Sequence, residues 1–214
     1  SHSNYMAGCN HITDTCQQEK RGGRERLRTV GVIGCQPRIG TTTQALQIVL
    51  CLQGLGYRAA YVEMGEHDYL KNLVEIYEDV TIDKYNVIRC RSIPMYTGKQ
   101  IILANQHRYD YLVKDYGYID SPDYTIAYFE QDIRVVVGGT KANEIEYMER
   151  VIEDPGYLNV SYIFSFVAQS EQKDVKELMG DKKENTYFAM YTPDPFTYTE
   201  NDIYEYVLGT GHEV

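Results

Sequence analysis

Tryptophan is absent from this 214-residue chain, and phenylalanine occurs only five times against 21 tyrosines. Most of the aromatic surface therefore carries a hydroxyl, and a core built on it must give each buried hydroxyl a partner or water. Long apolar runs are missing as well. The nearest approach, Ala45–Leu55, is interrupted by Gln47, Gln53 and Gly54. It falls short of the roughly 18 residues that a membrane helix requires, so no transmembrane segment is expected. Positive charge is in deficit: 21 Lys and Arg against 31 Asp and Glu leave a formal net charge of −10. That balance opposes a sequence-independent hold on a phosphate backbone, and bulk nucleic-acid binding is not expected. Five cysteines are an odd number for a disulfide framework in a chain of this length. Free thiols in a reducing, cytoplasmic compartment fit better. Cys9, His11 and Cys16 lack both a fourth ligand and a zinc-site spacing, so they are not read as a metal centre.

Dividing the length by about 150 residues per domain leaves one domain with trimmings. Residues 1–28 show almost no apolar periodicity and concentrate Lys20, Arg21, Arg24, Arg26 and Arg28. They read as a solvated basic arm, its start ahead of Met6 compatible with an expression tag, before a domain at 29–214. Within that domain strands are expected at 29–34, 58–64, 109–114, 133–138, 159–167 and 186–191. Helices are expected at 42–55, around Leu70–Tyr77, at 122–131, 140–153 and 171–179, and at 199–209. The helix at 42–55 is the clearest, with Ala45, Ile48, Val49 and Leu52 at i, i+3, i+4 and i+7. Ser121-Pro122 reads as a cap with proline at the first helical position. Thr199 and Asp202 resemble a capping box. Pro94 marks 85–97 as an irregular excursion or a short edge hairpin. Alternating strands and helices specify an α/β class, a three-layer sandwich with a mostly parallel central sheet.

In such sheets ligands bind beyond the carboxyl ends of the strands. The first strand–helix turn reads Gly34-Cys35-Gln36-Pro37-Arg38-Ile39-Gly40-Thr41-Thr42-Thr43. Backbone N–H groups around Gly40, the positive end of the following helix and the threonine hydroxyls together suit a phosphate. The strict G-x-x-x-x-G-K-[ST] pattern fails twice: five residues separate the glycines, and Thr41 stands in the lysine position. No lysine occurs between Lys20 and Lys71.

The turn instead resembles the loop of the MinD/ParA family of deviant P-loop ATPases, K-G-G-x-G-K-T-T, over residues 36–43. The Gly-x-Thr-Thr end is kept and both lysines are lost. The resemblance spans residues 29 to about 208. "RAAYVEM" is similar to the second strand of that family, with Glu63 at its first acidic position and Gly65 at the second, which is tied to hydrolysis. "YDYLVKDYG" is similar to its third-strand segment and sets Asp115 at the Walker B aspartate. "FEQDIRVVVGG" resembles the strand after it, and Thr192–Phe196 falls where adenine contacts often lie. Members of the CpaE/TadZ group, which help to place pilus machinery, also tolerate degenerate loops.

The resemblance implies a P-loop NTPase-like domain binding ATP through residues 36–43, Glu63, Pro193 and Asp194. It implies Mg2+ at Thr42 and Asp115, and a homodimer formed across the nucleotide, with a protein partner of unknown identity. Without the lysines, hydrolysis should suffer more than binding, because transition-state charge needs cations at particular oxygens. Arg38 is the residue placed to substitute for them. The leading expectation is a nucleotide-binding regulatory or assembly protein, a pseudo-ATPase. The alternatives are a slow ATPase of the MinD/ParA type and an interaction domain that has lost nucleotide binding.

Overall fold

Val30, Val32 and Ile33, the apolar centre of the first expected strand, have no solvent exposure. The computed structural model, which describes residues 26–65, 68–119 and 122–210, shows the cause. Strand β1 (Arg28–Gly34) is flanked on both sides within a nine-stranded sheet. The other strands are β2 (Ala59–Glu63), β3 (Val80–Ile82), β4 (Ile88–Cys90), β5 (Ile93–Thr97), β6 (Tyr111–Tyr118), β7 (Ile133–Gly138), β8 (Ser161–Phe164) and β9 (Thr186–Phe188). Their order is β3-β4-β5-β2-β6-β1-β7-β8-β9, with β3 and β4 antiparallel and every other pairing except β4 with β5 parallel. The helices are α1 (Thr41–Gly54), α2 (Tyr69–Ile76), α3 (Ile101–Gln106), α4 (Pro122–Phe129), α5 (Ile145–Glu153), α6 (Gln172–Leu178) and α7 (Ile203–Leu208). The expected α/β sandwich with a mostly parallel sheet is what forms.

Successive side chains of a strand point to opposite faces, and β2 uses both. Tyr61 joins the main core with Val30, Val32 and the inner face of α1, whereas Ala60 and Val62 join Tyr96, Ala104 and Leu112 in a second cluster. Helix α1 buries all four predicted positions completely, but Leu46 and Gln47 are also wholly buried. A helix enclosed this far must satisfy its amides internally. Gln47 Nε2 donates to the carbonyls of Pro195 and Thr197, and its Oε1 accepts from the Thr199 N–H. Gln44 Oε1 accepts from Tyr204 at 2.6 Å. These bonds tie the C-terminal loop to α1.

The tyrosine-rich core follows the same rule. Tyr61, Tyr96, Tyr162 and Tyr204 are buried and their hydroxyls engage Asp115, His107 with Tyr109, the Tyr157 carbonyl and Gln44 respectively. Tyr128 is the exception among the described residues, its hydroxyl buried without a partner.

Expectations change in several places. Residues 85–97 do form an antiparallel hairpin of β4 and β5, but β5 is no edge: it pairs in parallel with β2, and Ile93, Met95 and Tyr96 are fully buried. Pro94 lies opposite Arg89, where the antiparallel pairing spans only three residues. The last helix begins at Ile203 rather than near Thr199, and the Asn201 side chain accepts the Ile203 N–H. Helix α3 had no forecast, since its six residues span too few turns to show a period. The arm through residue 25, with Cys9, His11 and Cys16, lies outside the described residues, as does the Ser121 cap. Arg28 opens β1 and Arg26 pairs with Asp132 at 3.3 Å.

Candidate functional site

The β1–α1 turn closes over glycine at its two ends for two different reasons. A Cβ on Gly34 would stand 2.3 Å from Thr41 Oγ1 and 2.9 Å from Ile39 Cγ2, so only glycine lets the turn fold back on itself. Gly40 is the N-cap of α1 with φ 96° and ψ 18°, a left-handed conformation open to glycine at little cost. Arg38 also has positive φ, at 60°. It occupies a glycine position of the loop that the sequence resembles, and its backbone keeps the glycine-like conformation.

Above this turn lies a cavity of about 500 Å³, lined by Gln36, Pro37, Arg38, Gly40, Thr41, Thr42, Thr43, Tyr69, Gly117 and Tyr118. Its chemistry has one sign. No carboxylate lines it, and Arg38 is its one cation among the described residues. Because Gly40 has no side chain, α1 has no side-chain cap. Its first-turn N–H groups carry the positive end of the helix dipole into the cavity. An anion fits this arrangement.

Asp115 sits beneath the floor with no solvent exposure. Its Oδ2 accepts from the Thr42 hydroxyl at 2.6 Å and from the Tyr61 hydroxyl at 2.7 Å, and its Oδ1 accepts from the Gly117 N–H at 2.9 Å. The parallel register β2–β6–β1 makes this meeting possible, pairing Glu63 and Val32 with Asp115 on either side. Burial and the adjacent Asp115 carboxylate push the Tyr61 hydroxyl well above its usual pKa, so it remains a donor. Thr42 spends its proton on Asp115, and its oxygen, on the cavity wall, keeps lone pairs for a cation. Two polar atoms near the loop are buried without a partner, Gln36 Oε1 and Ser165 Oγ.

Not all forecast residues converge. Ile39 is 1% exposed and packs towards Gly139 instead of lining the cavity. Glu63 is not among the residues lining the cavity, and it braces a helix. Its Oε2 accepts the Leu70 N–H at 3.1 Å, holding the first turn of α2. Neither Pro193 nor Asp194 lines the cavity. Asp194 bonds Arg91 at 2.6 Å and Thr197 Oγ1 at 2.8 Å, and the Arg91 guanidinium holds its carboxyl below the usual range. Its neighbour Thr192 instead reaches a small hollow of about 50 Å³ beside Gly40 and Thr43, shared with Ser165, Phe166 and Met190. Phe166 there is 61% exposed, and its backbone has φ 61°. Tyr69, Tyr118, Ser165 and Phe166 escaped the sequence reading. Single residues at element ends leave no periodic signal, although each follows or abuts the carboxyl end of a strand, where ligands collect.

Neither a family model nor a curated protein sequence matches the chain. Solved structures do. The MinD cell division protein of Aquifex aeolicus superposes with a TM-score of 0.55 at 17% identity, over 78% of this chain and 83% of that one. A ParA family ATPase from Chlorobium tepidum TLS gives 0.52 at 13% identity, over 86% and 90%. A plasmid partition protein of Borrelia burgdorferi B31 bound to AMPPNP gives 0.53 at 12%, over 86% and 98%. At these identities the likeness is one of fold: the chain shares the α/β architecture of these proteins.

Proposed function

We propose that the cavity over the β1–α1 turn binds the phosphates of a nucleotide, ATP foremost, and that the protein uses this as a binding signal with weak or absent hydrolysis. The observation that carries the reading is the 2.6 Å bond from Thr42 to the buried Asp115, set under an anion-compatible cavity at a helix N-terminus. Arg38 supplies charge, the N–H groups of residues 41–43 supply direction, and Phe166 with Met190 offers an apolar surface for a base beside the loop. Magnesium fits the donor set through the Thr42 oxygen, with Asp115 orienting that hydroxyl. When bound, the ion would neutralise phosphate charge. The solved MinD/ParA-type neighbours support the same ligand class, one of them carrying AMPPNP.

Turnover is disfavoured by the composition of the loop. Thr41 is 7% exposed and packs against Gly34, so nothing there replaces a lysine on the transferring phosphate. Gly65 leaves the second acidic position without a carboxylate. The Thr42–Asp115 contact carries nucleotide and magnesium binding in either case, and it is the one feature of the site that also suits the second reading, a slow ATPase. In the proposed role the protein is a cytoplasmic regulatory or assembly factor, dimerising across the ligand as the family resemblance implies and acting on a protein partner. The CpaE/TadZ group, with its tolerance of degenerate loops, is the branch whose placement role this would match.

Thermal shift with Mg-ATP, Mg-ADP, GTP and buffer tests the proposal. A ligand at a hundred times its Kd stabilises by about 2.7 kcal/mol. For a domain of this size that raises Tm by about 5–10 °C. No shift at millimolar nucleotide would leave the interaction-domain reading in its place.

A further inference from the structure

We propose that the groove between α5 and α6 is a docking site for a basic amphipathic helix of a partner protein, independent of the nucleotide cavity. The hollow holds about 440 Å³ and reaches down to the carboxyl ends of β7 and β8. Its floor is apolar: Met148 from α5, Val175 from α6, and Phe164 and Met179 below. At its mouth Leu178 is 81% exposed and Ile145 43% exposed, so an apolar surface continues outwards from the floor. A floor of this kind with exposed apolar shoulders is what a helix-in-groove complex uses.

The rim sets the sign of the occupant. Glu149 and Glu153 stand on the α5 side, Glu171 and Asp174 on the α6 side, and no Lys, Arg or His lines the groove. None of the four enters an ion pair or side-chain hydrogen bond among the described residues; the neighbouring cations Arg150 and Lys173 are paired with Glu146 and Glu177 instead. Four carboxylates around an apolar floor repel one another and attract a cationic partner. The same charge repels an anionic lipid surface, a nucleic acid and a second copy of this chain, which would bring its own acidic rim. The chain's own basic arm has the charge but lacks the spaced apolar anchors. A partner helix matches both features. The nine residues of α5 run about 13 Å at 1.5 Å each, so the groove accepts about two and a half turns with apolar anchors at i, i+3 or i+4 and i+7.

The probe is a fluorescein-labelled, end-blocked peptide of about 14 residues, with leucines at i, i+3, i+4 and i+7 and lysines on both flanks. Fluorescence anisotropy on the full chain should show saturable binding that weakens as salt rises. The same peptide with glutamate for lysine, or with its leucines scrambled, should not bind. Leu178→Asp with Ile145→Asp, and separately Glu149→Lys with Asp174→Lys, should each weaken binding by about tenfold or more. All four positions are exposed, so circular dichroism melts should be unchanged. Equal binding by wild type and both double variants, equal binding of the glutamate peptide, or no binding at all overturns the proposal. So do two other results: self-association abolished by Leu178→Asp, which makes a second copy the occupant, and tighter peptide binding after removal of residues 1–25, which makes the arm the occupant.

Discussion

Arg38 combines two properties that a substitution series can separate. Its guanidinium is the one cation lining the cavity among the described residues, and its backbone is left-handed at φ 60°. A charge-assisted hydrogen bond contributes about 1.5–3 kcal/mol. At about 1.4 kcal/mol per tenfold, Arg38→Ala should weaken nucleotide binding by about 10- to 150-fold. Alanine keeps the Cβ and hence the strain, so the Tm of the ligand-free protein should hardly move. Arg38→Gly removes the same charge and relieves the strain. The left-handed conformation costs a non-glycine residue about 1–2 kcal/mol. Glycine gives back about 0.5–1 kcal/mol through the freedom of its unfolded chain. A net gain of about 1 kcal/mol raises Tm by about 2–4 °C in a domain of this size. Arg38→Lys should keep the charge, lose the fork geometry and bind with intermediate affinity. Titration calorimetry with Mg-ATP and differential scanning calorimetry without ligand measure the two effects separately. Wild-type affinity in Arg38→Ala would refute the electrostatic reasoning, and a lower Tm in Arg38→Gly would refute the strain argument.

Asp115→Ala leaves the Thr42 and Tyr61 hydroxyls and the Gly117 N–H without their acceptor, and should cost about 3 kcal/mol or more in urea unfolding, with Asp115→Asn costing clearly less. The Arg91–Asp194 pair is partly exposed and screened by solvent, so Arg91→Ala should destabilise the protein only slightly. Because Asp194 has a folded pKa below its unfolded value, that contribution is full above the unfolded value of about 3.9 and is lost as pH falls through the folded one. The stability difference between wild type and Arg91→Ala should therefore shrink in acid and not in base. Burial pushes the Cys35 thiol up to about 11 and raises those of Cys51 and Cys90 as well. Peptide mapping after iodoacetamide treatment at about pH 8 should find these three unmodified in the native protein and modified once urea unfolds it. Rapid native labelling of Cys35 would contradict its burial.

Much of the architecture is legible in local pattern. The apolar repeat at Ala45, Ile48, Val49 and Leu52 selects a helix because 3.6-residue periodicity puts all four on one side, and all four are buried. The continuous apolar run at 30–33 selects a doubly covered strand for the parallel reason, and β1 is central. Glycine at 34 and 40 is written into the chain by local geometry: one has no room for a Cβ and the other needs positive φ. What lies between distant segments is not written there. Asp115 meets Thr42 and Tyr61 only because β6 inserts between β1 and β2, a strand order that no single segment encodes. The roles of Glu63 and Asp194 were decided in the same way. A carboxylate's identity says that it seeks donors or cations, but which ones it finds depends on what packing brings near. Packing brought the first turn of α2 to Glu63 and the Arg91 guanidinium to Asp194.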